Sequence, residues 1–180
     1  ADSRLESCEI AFLEPEDGQP SDLARDVISF NPELIGISVY LWSMPFLSES
    51  IRLIRNALPH ATIVLGGPSA RPSTFSLSPY QDLPAMIDAI VTDYGEHAFS
   101  ELAHRHLLDN RDCRNIAGVM RYDGAIWKSS GLAEIAPPLD SLSSPTRQGL
   151  MPRGSVGYLE TYRGCPLTCS FCEWGALKSQ

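Results

Sequence analysis

Two short runs in this chain are apolar almost from end to end, Leu34-Ile-Gly-Ile-Ser-Val-Tyr and Ala61-Thr-Ile-Val-Leu. A strand with one wet face alternates apolar and polar residues. A run without that alternation is expected to be buried on both faces, as strands are in a parallel sheet covered by helices. Between the two runs, Ser48 to Leu58 carries Ile51, Leu53, Ile54 and Leu58 at helical spacing, with Arg52 and Arg55 expected to face out, and Pro59 ends the helix. The same order repeats on either side. Cys8-Glu-Ile-Ala-Phe-Leu is expected to form a strand, and Asp22 to Phe30 a short helix broken by Asn31-Pro32. Ala89-Ile-Val-Thr is a further short strand, and Glu96 to Leu108 a helix bearing Phe99, Leu102, Ala103 and Leu107. Such alternation predicts an α/β domain with a doubly wound parallel sheet.

After Asp109 the pattern changes. Ile116–Tyr122 and Ala125–Lys128 flank Asp123-Gly124, a strong hairpin signal. A Pro-, Ser- and Gly-rich stretch from Pro137-Pro138 to Gly154 has little periodicity and is expected to be a linker. Ser155 to Thr161 then reads as a new strand. The expected organisation is therefore an α/β domain over 1–136, a linker over 137–154 and the start of another domain over 155–180. A chain of 180 residues that opens on Ala1 has room for one such domain and part of a second, so it is read as a piece of a longer protein.

In an open α/β sheet, ligands bind outside the carboxyl ends of the strands. Three loops are expected to meet there: Ser38-Val-Tyr-Leu-Trp-Ser, Gly66-Gly-Pro-Ser and Asp93-Tyr-Gly-Glu-His. Adjacent glycines let a backbone approach a bulky ligand closely. Glu96 falls near the positive end of the last helix. Plain turn geometry explains a Gly-Gly pair equally well, and Tyr40 or Trp42 could simply cap the core.

The tail carries the most specific chemistry. Cys165, Cys169 and Cys172 lie in Tyr-Arg-Gly-Cys-Pro-Leu-Thr-Cys-Ser-Phe-Cys, a C-x3-C-x2-C spacing. Clustered thiols of this kind point to a metal. A closed zinc site needs four ligands, and no histidine follows His106, so zinc would have to borrow Cys8 or Cys113 or use a half-site beyond the chain. A cubane iron–sulfur cluster is normally held by four cysteines. Three would leave one iron open for catalysis. Incidental thiols remain the bland alternative.

That run, with Gly164 and Pro166 beside the first cysteine and Phe171 before the third, resembles the cluster loop of the radical S-adenosylmethionine enzymes. The resemblance implies that the three cysteines hold a 4Fe–4S cluster whose fourth iron is chelated by S-adenosylmethionine, with Phe171 in the aromatic position of the cofactor loop. Cleavage of the sulfonium usually yields a 5′-deoxyadenosyl radical. Pro32-Glu-Leu-Ile-Gly-Ile-Ser, Ile63-Val-Leu-Gly-Gly-Pro, Tyr94-Gly-Glu-His-Ala-Phe and the Gly118–Gly124 hairpin resemble the cobalamin-binding domain that precedes the barrel in one branch of that family. So does Pro137-Pro-Leu-Asp-Ser-Leu, which resembles its linker. The resemblance implies a Rossmann/flavodoxin-like fold, with Ser38, Tyr40, Gly66, Gly67, Gly95 and Glu96 around the cobalamin. Residues 155–180 would then hold the first strand and cluster loop of a radical S-adenosylmethionine (β/α) barrel. In that family a strand and helix precede the segment at Cys8, and most of the barrel follows, so the chain is expected to be truncated at both ends and inactive as a fragment.

The function so implied is a cobalamin-dependent radical enzyme, most commonly a methyltransferase acting on an unactivated carbon of a small-molecule or peptide substrate. An electron donor such as flavodoxin or ferredoxin would serve it. A radical cyclase or rearrangement enzyme of the same branch, a non-catalytic cobalamin-binding module, and a zinc-stabilised interaction domain are the rivals. A net charge of −8 argues against a nucleic-acid surface. No apolar run suits a membrane span, and five cysteines in this pattern fit a reducing cytoplasm. His60, His97, His104 and His106 read as ordinary polar residues, and Cys8 and Cys113 as ordinary thiols. Glu173 suits the start of a helix, and Arg163 either supports the loop or forms a surface ion pair.

Overall fold

Strands β1 (Leu34–Ser38), β2 (Thr62–Gly66) and β3 (Ala89–Val91) lie side by side and parallel, in chain order. Strands β4 (Val119–Tyr122) and β5 (Trp127–Ser129) add an antiparallel hairpin to the β3 edge, giving a mixed five-stranded sheet. The structure is a computed structural model that describes residues 2–14, 18–92, 94–109, 115–131, 139–150, 154, 161, 163, 165, 167 and 169–171. The chain divides into a unit over 2–133 and a second over 134–180. Within the second, the described part holds a turn at Leu139–Ser141 and further turns over 145–149. The expected strand at 155–161 lies outside the described residues, apart from Thr161.

Helices cover both faces of the sheet. On one face α1 (Pro20–Phe30) and α2 (Met44–Ala57) pack Ala24, Val27, Leu47, Ile51 and Ile54 against Ile35, Ile63, Leu65 and Ile90. A four-residue helix, α3 (Pro72–Phe75), adds Phe75 to that layer. On the other face α4 (Gly95–His104), extended by one wide turn over Arg105–Asp109, sets Ala98 and Leu102 against Val64, Ala89, Val91 and Val119. β2 sends Ile63 and Leu65 one way and Val64 the other, and all three are fully buried. Its unbroken apolar run follows from that position, because a central strand has no wet face.

Asn31 stops α1 in the left-handed region at φ 53°, its amide donating to Val27 and Ile28 carbonyls at 3.1 Å. Gln19 and Asp22 close the other end as a reciprocal capping pair. Among the described residues no helix is long and apolar enough to cross a membrane.

Three expectations are corrected. Residues 8–13 form no strand: they find no ladder partner among the described residues, and Ile10, Phe12 and Leu13 stay exposed. A strand is defined by the neighbour that takes its hydrogen bonds, which local apolar content cannot supply. Among the described residues β1 is an edge strand, paired with β2 alone, and within it only Ile35 is buried. Arg55 does not face out. Its side chain is 18% exposed and its guanidinium donates to the carbonyls of Met86 (2.8 Å), Pro59 (3.0 Å) and Ala61 (2.8 Å) and to Asp88 Oδ2 (2.6 Å). Asp88 Oδ2 also accepts the Ile63 amide at 2.8 Å, so this group ties α2 to the rim where β2 and β3 begin. Leu53, by contrast, is exposed.

Candidate functional site

Because β1, β2 and β3 are parallel, their outgoing loops collect on one rim, opposite the Arg55–Asp88 clamp. Ser38 and Gly66 are register partners and end their strands side by side. The loops beyond them are stitched together. The Val39 amide donates to the Gly66 carbonyl at 2.8 Å, the Ser69 amide to the Val39 carbonyl at 3.1 Å, and the Ala70 amide to the Gly67 carbonyl at 3.1 Å.

The two glycines, grouped together on sequence grounds, differ in kind. Gly67 sits at φ +89°, and a Cβ there would lie 2.9 Å from the Val39 oxygen, 3.0 Å from its nitrogen and 3.1 Å from Ser38 Oγ. The loop itself requires glycine at this point. Gly66 has no positive φ, and a Cβ on it would meet nothing within 4 Å. No intramolecular contact demands glycine there. The open space beside the end of the central parallel strand is room for a ligand to touch backbone.

The loop after β1 carries an aromatic shelf. Tyr40 and Trp42 stack with centroids 4.7 Å apart and planes 21° from parallel. Tyr40 is 38% exposed, Trp42 79%, and Leu41 between them is also exposed. Trp42 therefore caps no core. Two large exposed aromatics two positions apart, directly after a strand, form an apolar surface patch, and Trp42 belongs to it as much as Tyr40.

β3 delivers the third loop. Tyr94 precedes α4, Gly95 is its first residue, and Glu96 is exposed in its first turn, where a carboxylate suits the helix dipole. A Cβ on Gly95 would lie 3.0 Å from Val91 Cγ1, so this glycine lets the helix start press against β3. Asp93 lies outside the described residues.

In the second unit Cys165 is half-buried, Cys169 is exposed, and both are free thiols. The Leu167 amide donates to Cys165 Sγ at 3.5 Å, and Phe171 is 91% exposed. Cys172, Glu173 and Cys113 lie outside the described residues. Among the described residues no three His, Cys, Asp or Glu side chains are gathered around a metal position. The donor set nonetheless suits iron–sulfur chemistry, since thiolates are the soft ligands such clusters take. His60 and His97 are exposed, and His104 Nδ1 stands 3.6 Å from Asp109 Oδ2.

Residues 4–103 match the B12 binding domain family. The chain is 32% identical over 158 residues to the cobalamin-dependent radical SAM methyltransferase TokK of Streptomyces tokunonensis, covering 81% of this chain and 22% of that protein. It is 31% identical over 160 residues to the 2-(S-pantetheinyl)-carbapenam-3-carboxylate methyltransferase of Streptantibioticus cattleyicolor, again with 81% and 22% coverage. The chain thus spans about a fifth of the length of these relatives. Among solved structures it is similar to the radical S-adenosylmethionine methyltransferase TsrM of Kitasatospora setae, with cobalamin and a 4Fe–4S cluster bound. That match has a TM-score of 0.47 and 22% identity, over 66% of this chain and 22% of the other.

Proposed function

The chain belongs to the B12-binding domain family, and from that premise we propose that the rim of β1, β2 and β3 receives cobalamin within a radical S-adenosylmethionine methyltransferase. Ser38, Tyr40, Gly66, Gly67, Gly95 and Glu96 would surround it. The observation that carries this reading is the gap at Gly66, where the protein leaves space that no neighbour fills. Gly66 would present backbone to the cofactor, Gly67 would hold the loop in the shape that keeps the gap open, and the Tyr40–Trp42 shelf would offer a flat apolar surface to a flat macrocycle. Cys165, Cys169 and Cys172 would hold the 4Fe–4S cluster, with Phe171 beside S-adenosylmethionine. When bound, these groups supply methyl carriage and one-electron chemistry, and the chain's own residues bind, orient and shield them. Two relatives named as methyltransferases support methyl transfer. Transfer to an unactivated carbon of a small-molecule or peptide substrate, with electrons from a flavodoxin- or ferredoxin-type donor, completes the proposal.

The test uses full-length protein prepared without oxygen. Titration with hydroxocobalamin should perturb the corrin spectrum and raise the melting temperature. Reconstitution should give about four irons per chain. That iron should be lost in Cys165→Ala, Cys169→Ala and Cys172→Ala and kept in Cys8→Ala and Cys113→Ala. An unchanged corrin spectrum and melting temperature would overturn the cobalamin half. Stoichiometric zinc without iron would overturn the cluster half.

A further inference from the structure

Ser43 occupies the N-cap position of α2, the place where a serine side chain ordinarily accepts an amide from the helix's first turn. Here it makes no such bond. Its hydroxyl turns back along the chain instead, accepting the Tyr40 amide at 3.1 Å and donating to the Tyr40 carbonyl at 3.0 Å. The Tyr40 carbonyl also accepts the Ser43 amide at 3.0 Å and the Met44 amide at 3.1 Å. Both polar groups of the Tyr40 backbone are thereby clamped to the start of α2, whose first residue, Met44, is buried in the core.

The clamp encloses Leu41 and Trp42, the most exposed apolar residues of the rim. Two aromatic side chains left in water on a four-residue loop would ordinarily sample many arrangements. These two are stacked. Fixing the Tyr40 backbone from both sides sets the direction in which its side chain leaves the loop, and the stack with Trp42 builds on that direction.

We infer that Ser43 is a positioning residue. Its hydroxyl forgoes the helix cap and holds the Tyr40–Trp42 shelf in its ligand-receiving geometry before the ligand arrives. The inference rests on the reading of this rim as a cobalamin site. It adds that affinity there depends on a hydroxyl that touches only the Tyr40 backbone and acts through the shelf. Ordering the loop in advance removes an entropy loss that would otherwise accompany binding.

The experiment is a double-mutant cycle on full-length protein, with hydroxocobalamin as the probe and the corrin spectrum as the readout. Wild type, Ser43→Ala, Ser43→Thr, Trp42→Ala and the Trp42→Ala/Ser43→Ala double variant are titrated, and each is melted without ligand. In the Trp42 background of wild type, Ser43→Ala should weaken binding about three- to tenfold, the size of one or two modest hydrogen bonds. Ser43→Thr should restore most of it. In the Trp42→Ala background the same change should have almost no effect, because the shelf it acts through is gone. An equal loss in both backgrounds, or failure of Ser43→Ala to fold, would assign the hydroxyl to helix α2 and overturn the inference. Wild-type affinity in Ser43→Ala would overturn it while leaving the cobalamin reading intact. Absence of binding by wild type would overturn both.

Discussion

Adjacent glycines at the end of β2 are predicted to respond in opposite directions to the same substitution. At Gly67, alanine must adopt φ +89° and bring its Cβ to 2.9 Å from the Val39 oxygen and 3.0 Å from its nitrogen. The left-handed conformation alone costs about 1–2 kcal/mol. The contact cannot relax cheaply, because Val39 is held by its own amide to Gly66 and by the Ser69 amide on its carbonyl. Together these should destabilise the α/β unit by about 2–4 kcal/mol, a fall in melting temperature of roughly 10 °C. At Gly66, alanine meets no atom within 4 Å and no unusual φ, so removing backbone freedom from the unfolded chain should add about 0.4–1 kcal/mol of stability. A larger side chain there should fill the gap. Gly66→Leu should keep or slightly raise the melting temperature while weakening hydroxocobalamin binding at least about tenfold, or roughly 1.4 kcal/mol. Thermal melts followed by circular dichroism, with corrin titration in parallel, separate the two effects. If Gly66→Ala melts as low as Gly67→Ala, the conformational distinction is wrong. If Gly66→Leu binds like wild type, the gap is not part of the site.

Removing the Arg55 side chain takes its donors from three carbonyls and leaves Asp88 with the Ile63 amide but without its cation, so Arg55→Met should destabilise by about 2–4 kcal/mol in urea titrations. The equivalent change at the exposed Arg25 should move the midpoint little. A Cβ on Gly36 would lie 2.6 Å from Phe99 Cζ, so Gly36→Ala should lower the melting temperature by several degrees, and adding Phe99→Leu should recover part of the loss. At the hairpin turn, the Ile126 amide, then the Lys128 ammonium and the Ala125 amide, hold the Asp123 carboxyl well below the usual carboxylate range. A depressed folded-state value stabilises the protein above the ordinary aspartate pKa and loses that effect as pH falls below it. The melting-temperature difference between wild type and Asp123→Ala should therefore be constant above about pH 5 and shrink below about pH 4. A difference that grows on acidification would contradict this account.

Periodicity and punctuation alone determined most of the α/β unit. The apolar run of β2, the helical stripe of α2, the Asn31 stop and the Asp123-Gly124 turn are local signals, and each element they mark is present. The cluster role proposed for Cys165, Cys169 and Cys172 rests on the resemblance carried by their spacing in the sequence. What only the tertiary structure decided depends on neighbours that periodicity cannot see. β1 and β2 are both apolar runs in sequence, yet β2 is buried on both sides and β1 is an edge among the described residues, because sheet order sets burial. Residues 8–13 look like a strand but have no ladder partner among the described residues, and Arg55 looks like a surface residue but is held by carbonyls of the turn after its own helix and by Met86 and Asp88 ahead of β3. At the rim the sequence left the Gly-Gly pair open between close approach to a ligand and plain turn geometry. Which glycine serves the loop and which faces open space followed only from the position of Val39, brought there by the pairing of β1 with β2. Ser43 shows the same division: the sequence pattern starts this helix at Ser48, and only the fold puts Ser43 at the head of α2 with its hydroxyl toward Tyr40.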